Sequence, residues 1–389
     1  MQDPARKGPK PPIPLTVLTG FLGAGKTSLL SRLLREEALH DAVVIINEFG
    51  EIGLDHLLVE RVEDGMIELS SGCLCCTIRG DLINTLEDLL RRRDNNRIQP
   101  FSRVLIETTG LADPAPVLHT IMSHPYLVMR YRLDGVVTVV DAVNGMATLD
   151  AHGESVKQAA VADRLVITKT DIAEPGAADA LKRRLAALNP AAPILDAAVG
   201  EADISALLDA GLFDPATKSP DVARWLKEEA YRPKHDHEHG HGHDHHGHDH
   251  GHGHQHHDVN RHDAHIRAFS VATDVALSQA AFDMFLDLMR SAHGPQLLRL
   301  KGIVKLSDDP DRPVVIHGVQ HVFHPPVVLD AWPDADRRTR IVIIAKDMEP
   351  AAVQKLLDAF AGAARVDTPD AAAVRANPLA PNARRGLFG

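Results

Sequence analysis

The run LTVLTGFLGAGKTS, residues 15–28, decides how this chain is read. Its first five residues are apolar or β-branched and predict a strand over 15–19. From Gly20 to Thr27 it fits the phosphate-loop pattern G-x-x-x-x-G-K-S/T in full, and an amphipathic helical pattern follows over 26–39. Strand, glycine loop and helix in that order give the motif its meaning. Gly20, Gly23 and Gly25 let backbone N–H groups converge on phosphate oxygens, and the helix start adds its dipole. Lys26 offers a cation to the β and γ phosphates, and Thr27 a hydroxyl to Mg²⁺.

Outward from this loop, residues 13–210 alternate short apolar runs with helical patterns. Strands are expected over 15–19, 42–47, 66–69, 103–108, 135–141 and 165–168, with helices over 26–39, 82–92 and 177–188 among those between them. Strands rich in Val and Ile on both faces, separated by helices, predict a buried, mainly parallel sheet. From about Asp214 the pattern loosens into a linker. Order returns near His265: a strand (265–272), a helix (278–291), strands around 297–306, 314–320 and 340–345, and a helix over 351–360. The expected architecture is therefore an α/β phosphate-loop domain over 13–213, a linker over 214–263 and a smaller α+β domain over 264–362 with a mainly antiparallel sheet. Residues 1–12 and 363–389 read as tails.

Composition narrows the classes. The chain has 389 residues, enough for two domains, and is 44% hydrophobic and 24% charged. A formal net charge of −11 gives nucleic acid no electrostatic footprint. No apolar run approaches the roughly 20 residues of a membrane span. Residues 1–14 are rich in proline and lysine and lack the apolar stretch of a signal peptide, so the expected compartment is the cytosol.

Two further segments complete the nucleotide reading. Thr168-Lys169-Thr170-Asp171 ends a strand and is close to the N-K-x-D pattern, in which a carboxylate accepts hydrogen bonds from the guanine N1–H and exocyclic amine. Adenine cannot offer that pair of donors. At VLIETTG, residues 104–110, a strand ends in Glu107, placed to reach the Mg²⁺ shell, and Gly110 follows with an amide that can sense a γ-phosphate.

All three cysteines fall in one stretch, Cys73-Leu74-Cys75-Cys76. Three thiolates within four residues can fill three of zinc's four tetrahedral positions, and the softness also suits Cu(I). A small buried apolar cluster or a redox pair are the alternatives. A second candidate metal binder lies in the linker: His235, His237, His239, His241, His243, His245, His246, His248, His250, His252, His254, His256 and His257, spaced mostly by Gly and Asp. Such a tract cannot build a core, but it can wrap Zn²⁺, Co²⁺, Ni²⁺ or Cu²⁺ without fixed geometry. Metal capture and a solvated spacer are its two readings. His317, His321 and His324, near the later strands, read either as ordinary histidines or as accessory ligands.

Taken together, the phosphate loop, NEFGEIGLD (47–55), SGCLCCT (71–77), ETTGLADP (107–114) and TKTD (168–171) resemble the CobW-like GTPase metal chaperones, in the family's order across residues 13–210. Residues 265–362 are similar, more weakly, to the family's smaller C-terminal domain. The resemblance implies a P-loop GTPase that carries zinc on the cysteine loop and hands it to a client metalloenzyme, with GTP binding and hydrolysis gating load and release. It places the phosphates at Gly23, Ala24, Gly25, Lys26, Thr27 and Ser28, Mg²⁺ at Thr27 and guanine at Lys169 and Asp171. Lys26, Thr27, Glu107 and Gly110 are the expected hydrolytic set. Thr77 follows the cysteines in a loop expected to approach the nucleotide, and Glu48 is expected to contact both nucleotide and metal loop. The implied ligands are GTP or GDP, Mg²⁺ and Zn²⁺, with Co²⁺ as an alternative cargo. No nucleic acid or membrane partner is expected, and a nucleotide- or metal-dependent oligomer is. Cobalt or iron insertion into a dedicated enzyme, and a zinc buffer, are the competing functions. An ATP-dependent kinase conflicts with Asp171.

Overall fold

In a computed structural model, residues 11–48, 66–70, 77–208 and 265–362 are described, with the backbone alone at 47–48, 66–70 and 77–81. The first domain is built on seven strands: β1 (Ile13–Gly20), β2 (Ala42–Glu48), β3 (Met66–Ser70), β4 (Arg103–Glu107), β5 (Tyr131–Asp141), β6 (Arg164–Thr168) and β7 (Ile194–Asp196). They lie in the order β3-β2-β4-β1-β5-β6-β7, and every pairing is parallel. The sheet is thus wholly parallel where the sequence predicts a mainly parallel one.

Helices on both faces explain the apolar runs. Leu15, Val17, Ile45 and Ile106 face α2 (Thr77–Asp94) and α3 (Ala115–Ser123) in one core cluster. Leu18, Val44, Leu105 and Val139 face α1 (Lys26–Leu33) in another. Because the strands are buried on both sides, period-2 alternation gives way to continuous Val, Ile and Leu. The rest of the layer is α4 (Pro125–Arg130), α5 (Gly145–Ala151), α6 (Gly153–Ala160), α7 (Ala177–Leu188) and α8 (Ile204–Leu207).

Two expected boundaries move. The helix expected over 26–39 stops at Leu33, and the chain then makes a 3₁₀ turn at Glu37–Leu39. Glu36 is extended there, and a Glu36/Glu37 pair suits a helix C-terminus poorly because the dipole is negative. Strand β5 starts at Tyr131, four residues before the expected Gly135, and those residues pair with the start of β1. Asp134 makes this stretch read as polar, yet it is buried on hydrogen bonds from Thr16 and Arg103.

The second domain contains β8 (Ile266–Thr273), α9 (Gln279–His293), β9 (Leu297–Val304), β10 (Val314–Val319), β11 (Val322–Phe323), β12 (Val327–Val328), β13 (Thr339–Lys346) and α10 (Pro350–Ala361). The strands run β11-β10-β9-β13-β8, with β12 also on β10, and all these pairings are antiparallel. One face holds α9 and α10 through Phe282, Phe285, Met289, Val353 and Leu357.

The other face lies against the first domain. Ile344 and Leu298 cluster with Ala160, and Val319 joins the core of the first domain. His119 on α3 meets the Val319 carbonyl at 2.9 Å. At the centre, Asp163 accepts hydrogen bonds from Arg299 (2.5 Å) and Lys301 (2.6 Å) while its other oxygen takes the Val136 N–H. Burial alone would raise the Asp163 carboxyl, but Arg299 and Lys301 outweigh it and hold the group well below the usual carboxylate range. Burial lowers Lys301 to about 8. His317, paired across the sheet with Lys301, is buried with neither ring nitrogen hydrogen-bonded. Burial first, and the nearby cations second, keep it neutral. Among the described residues no three His, Cys, Asp or Glu side chains are grouped to hold a metal, which removes support for His317, His321 and His324 as an accessory set.

Candidate nucleotide site

All seven parallel strands deliver their carboxyl ends to one edge, where open α/β sheets bind ligands. Strand β1 leaves that edge through Gly20, whose φ is +143°. A Cβ at Gly20 would lie 2.2 Å from the Val139 carbonyl oxygen, so its glycine is demanded by packing on β5. Gly23 and Gly25 take left-handed φ values and turn the loop into α1. Lys26 is buried and its Nζ donates to the Phe21 carbonyl across the loop at 3.1 Å. Thr27 and Ser28 are exposed on the first turn of α1.

Glu107 ends β4 beside this turn. Thr27 Oγ1 donates to Glu107 Oε1 at 2.8 Å, and the carboxylate is buried. A hydroxyl and a carboxylate joined in this way are the hard oxygen donors that Mg²⁺ takes beside phosphates. These residues therefore fit the ion and would hold it, and its charge would offset that of the phosphates. After Glu107 the chain packs back on the loop: a Cβ at Gly110 would stand 2.5 Å from the Leu22 amide nitrogen.

The base-reading segment is locked to the same loop. Thr168 Oγ1 donates to the Ala24 carbonyl at 2.7 Å. Lys169, in the left-handed region at φ 59°, donates from Nζ to the Gly23 carbonyl (2.7 Å) and to Asp141 (3.2 Å). Asp171 stands exposed two residues on. Thr168 thus bonds to the phosphate loop from the place where the pattern has Asn.

The structure brings Gly20, Gly23, Ala24, Gly25, Lys26, Thr27, Ser28, Glu107, Gly110, Lys169 and Asp171 to one edge of the sheet. Glu48 ends β2 in register with Ser70, the last residue of β3, and Thr77 opens α2. Cys73, Cys75, Cys76 and residues 235–257 lie outside the described residues. Sequence reasoning missed Asp141, the carboxylate under Lys169, and Gln158, which reaches the Gly110 loop from α6. Neither sits in a short motif, and only β5 and α6 bring them there.

Fold and site together define a P-loop GTPase with an antiparallel second domain. Residues 14–196 match the model of the CobW/HypB/UreG nucleotide-binding domain, and residues 266–361 that of the cobalamin synthesis protein cobW C-terminal domain. The chain is 33% identical over 312 residues to the zinc chaperone YjiA of Escherichia coli, covering 80% of this chain and 87% of that one. It is 30% identical over 385 residues to the zinc chaperone CobW of a Sinorhizobium species, covering 90% and 97%. The crystal structure of Zn(II)-bound YjiA GTPase from E. coli superposes with a TM-score of 0.63 at 29% identity, over 90% of this chain and 99% of that one. The chain belongs to the CobW/HypB/UreG family. Among the described residues no helix is long and apolar enough to cross a membrane.

Proposed function

We propose that this protein is a cytosolic GTP-gated zinc carrier, which loads zinc on Cys73, Cys75 and Cys76 and passes it to a client metalloenzyme after hydrolysis. The observation that carries the reading is the placement of the cysteine segment's two flanks. Ser70 ends β3 beside Glu48, and Ile46, two residues before Glu48, is in register with Glu107. The six residues from there to Thr77, where α2 opens, include the three thiols. A segment that joins these two flanks can respond to the γ-phosphate.

Two relatives named zinc chaperones and a zinc-bound related GTPase make zinc the first choice of cargo. Thiols must shed protons to bind zinc as thiolates, so loading changes charge and order beside the phosphates. Coupling of this kind is reciprocal: if zinc tightens GTP, GTP tightens zinc by the same factor, typically about 5–150-fold. In this reading Lys26 and Thr27 hold the phosphates and Mg²⁺, Glu107 orients that shell, Asp171 selects guanine, and the histidine tract gathers metal.

The test is zinc affinity, measured against a competing chelator in protein lacking residues 235–257, with GDP and with a non-hydrolysable GTP analogue. Tighter zinc with the analogue is expected, and Cys75→Ser should erase the difference. Equal affinities in the two states would remove gating from the mechanism.

A further inference from the structure

The loop that follows Glu107 is gripped from one side by a single helix. Gln158 on α6 is 1% exposed, and its side-chain amide donates from Nε2 to two carbonyls of that loop, Gly110 at 3.2 Å and Ala112 at 3.0 Å. Lys157, the preceding residue, reaches Asp113 at 3.4 Å, and Asp113 in turn accepts from the Ala115 amide at the start of α3. Gln158 is itself fixed, because its backbone carbonyl accepts from Thr138 Oγ1 at 2.7 Å. The side-chain orientation follows from its neighbours: both loop atoms are acceptors, so only the NH₂ end can face them. The clamp lies beside the phosphate loop, since Gln158 lines a cavity of about 20 Å³ together with Phe21, Leu22 and Ala24.

A loop that answers to a γ-phosphate must have a defined resting place. In a buried site a carbonyl without a donor is costly, so two carbonyls on one rigid amide set that place sharply. Gly110 has no slack on its opposite side, where even an added Cβ would stand 2.5 Å from the Leu22 amide nitrogen of the phosphate loop. The loop is therefore held between the phosphate loop and α6.

We propose that Gln158 is a positioning residue for GTP hydrolysis: its amide fixes the Gly110–Ala112 backbone against the phosphate loop, so that the Gly110 N–H meets a γ-phosphate and ignores GDP. This rests on the reading of Gly110 as the γ-phosphate contact. In this reading GDP is held by the phosphate loop and the base segment, to which the Gln158 side chain makes no hydrogen bond. Its effect must then fall on the difference between GTP and GDP.

The experiment compares full-length wild type, Gln158→Met and Lys157→Met by steady-state GTPase assay and by titration with GDP and a non-hydrolysable GTP analogue. Met keeps the length of Gln and removes the donor. For Gln158→Met we expect kcat to fall by about tenfold, GDP affinity to stay within about twofold, and the analogue-to-GDP affinity ratio to drop by about fivefold or more, the scale of one or two lost buried hydrogen bonds. Lys157→Met acts on the half-exposed end of the same clamp and should shift the ratio the same way by less. It decides the matter if Gln158→Met does not fold. A parallel loss of GDP and analogue affinity, or an unchanged ratio and kcat in the folded variant, overturns the proposal. Wild type that binds GDP and analogue equally would overturn both this role and the reading of Gly110, whereas discrimination kept in Gln158→Met overturns the role of Gln158 alone.

Discussion

At the scale of single residues, the proposed reading of the base by Asp171 yields a direct test. Asp171 is exposed, two residues after the left-handed Lys169, whose Nζ is tied down on Gly23 and Asp141. A carboxylate accepting two donors from guanine gains about 1.5–3 kcal/mol per charge-assisted bond. Asp171→Asn should therefore weaken GTP by well over tenfold and narrow its advantage over ATP. Competition of GTP and ATP for a fluorescent nucleotide reads this, and equal competition in the wild type would refute the assignment. Thr168 answers a question the sequence raises, since Thr stands where the pattern has Asn. Its hydroxyl bonds to the Ala24 carbonyl, which ties the segment to the phosphate loop at that position. A second outcome concerns Gly110. Alanine there would bring a Cβ within 2.5 Å of backbone, which the loop can relieve only by moving away from Leu22. Gly110→Ala should lower kcat for GTP while GDP binding stays nearly unchanged, as paired turnover and GDP titrations would show.

At the scale of elements, what was legible followed from burial on both faces. The interiors of strands β2, β4 and β6 are uninterrupted apolar runs, and the bounds of these strands lie within a residue of those expected. The phosphate loop was legible because strand, glycines and helix occur together in one short run. Strand β5 was read short because Asp134 is neutralised by Arg103, a partner 31 residues away. The short elements α3 to α6 were hidden by length: α4 has six residues and α5 seven, too few for a clear period. Gln158 was out of reach for the same reason, since its role exists only once α6 packs against the loop after β4. The histidine tract is a case where composition alone is informative. Thirteen histidines in residues 235–257 lie between two domains that carry the nucleotide edge and the second sheet. Deleting 235–257 should leave GTP turnover within about twofold and lower the number of zinc ions bound, because its imidazoles add metal ligands and belong to none of the nucleotide motifs. Equilibrium dialysis with zinc, run beside a GTPase assay, gives both numbers, and loss of turnover at saturating zinc would contradict a storage role.

At the scale of the whole molecule, the second domain is joined to the first by a buried ionic centre, and that centre sets how stability responds to mutation and pH. Removing one partner of a buried ion pair strands the others, at a cost of about 3–5 kcal/mol. Asp163→Ala leaves Arg299 and Lys301 facing each other in the interface, so its thermal midpoint should fall well below that of wild type in calorimetry. The pH response has a definite sign. His317 is held far below its ordinary value by burial and by Arg299 and Lys301, and burial also lowers His324. In the unfolded chain both take up protons near pH 6.5, while in the fold both take them up only at lower pH, His317 far lower. The unfolded state then binds more protons below that pH, and stability falls by up to about 1.4 kcal/mol per pH unit for each such histidine. Asp163 does not act in this window, because its depressed carboxyl stays ionised in the fold and its contribution fades only below the unfolded carboxylate value near 4. Lys301 acts on the alkaline side: from about 8 upward the unfolded lysine holds its proton longer, so its term favours the fold as pH rises toward 10. The outcome to check is the acid limb. Urea unfolding of protein lacking 235–257, with chelator present, should give a lower midpoint at pH 5 than at pH 7, and His317→Leu should flatten that difference by removing one of the two proton-binding steps. A His317→Leu protein with the full wild-type slope would place the acid response elsewhere than in this interface.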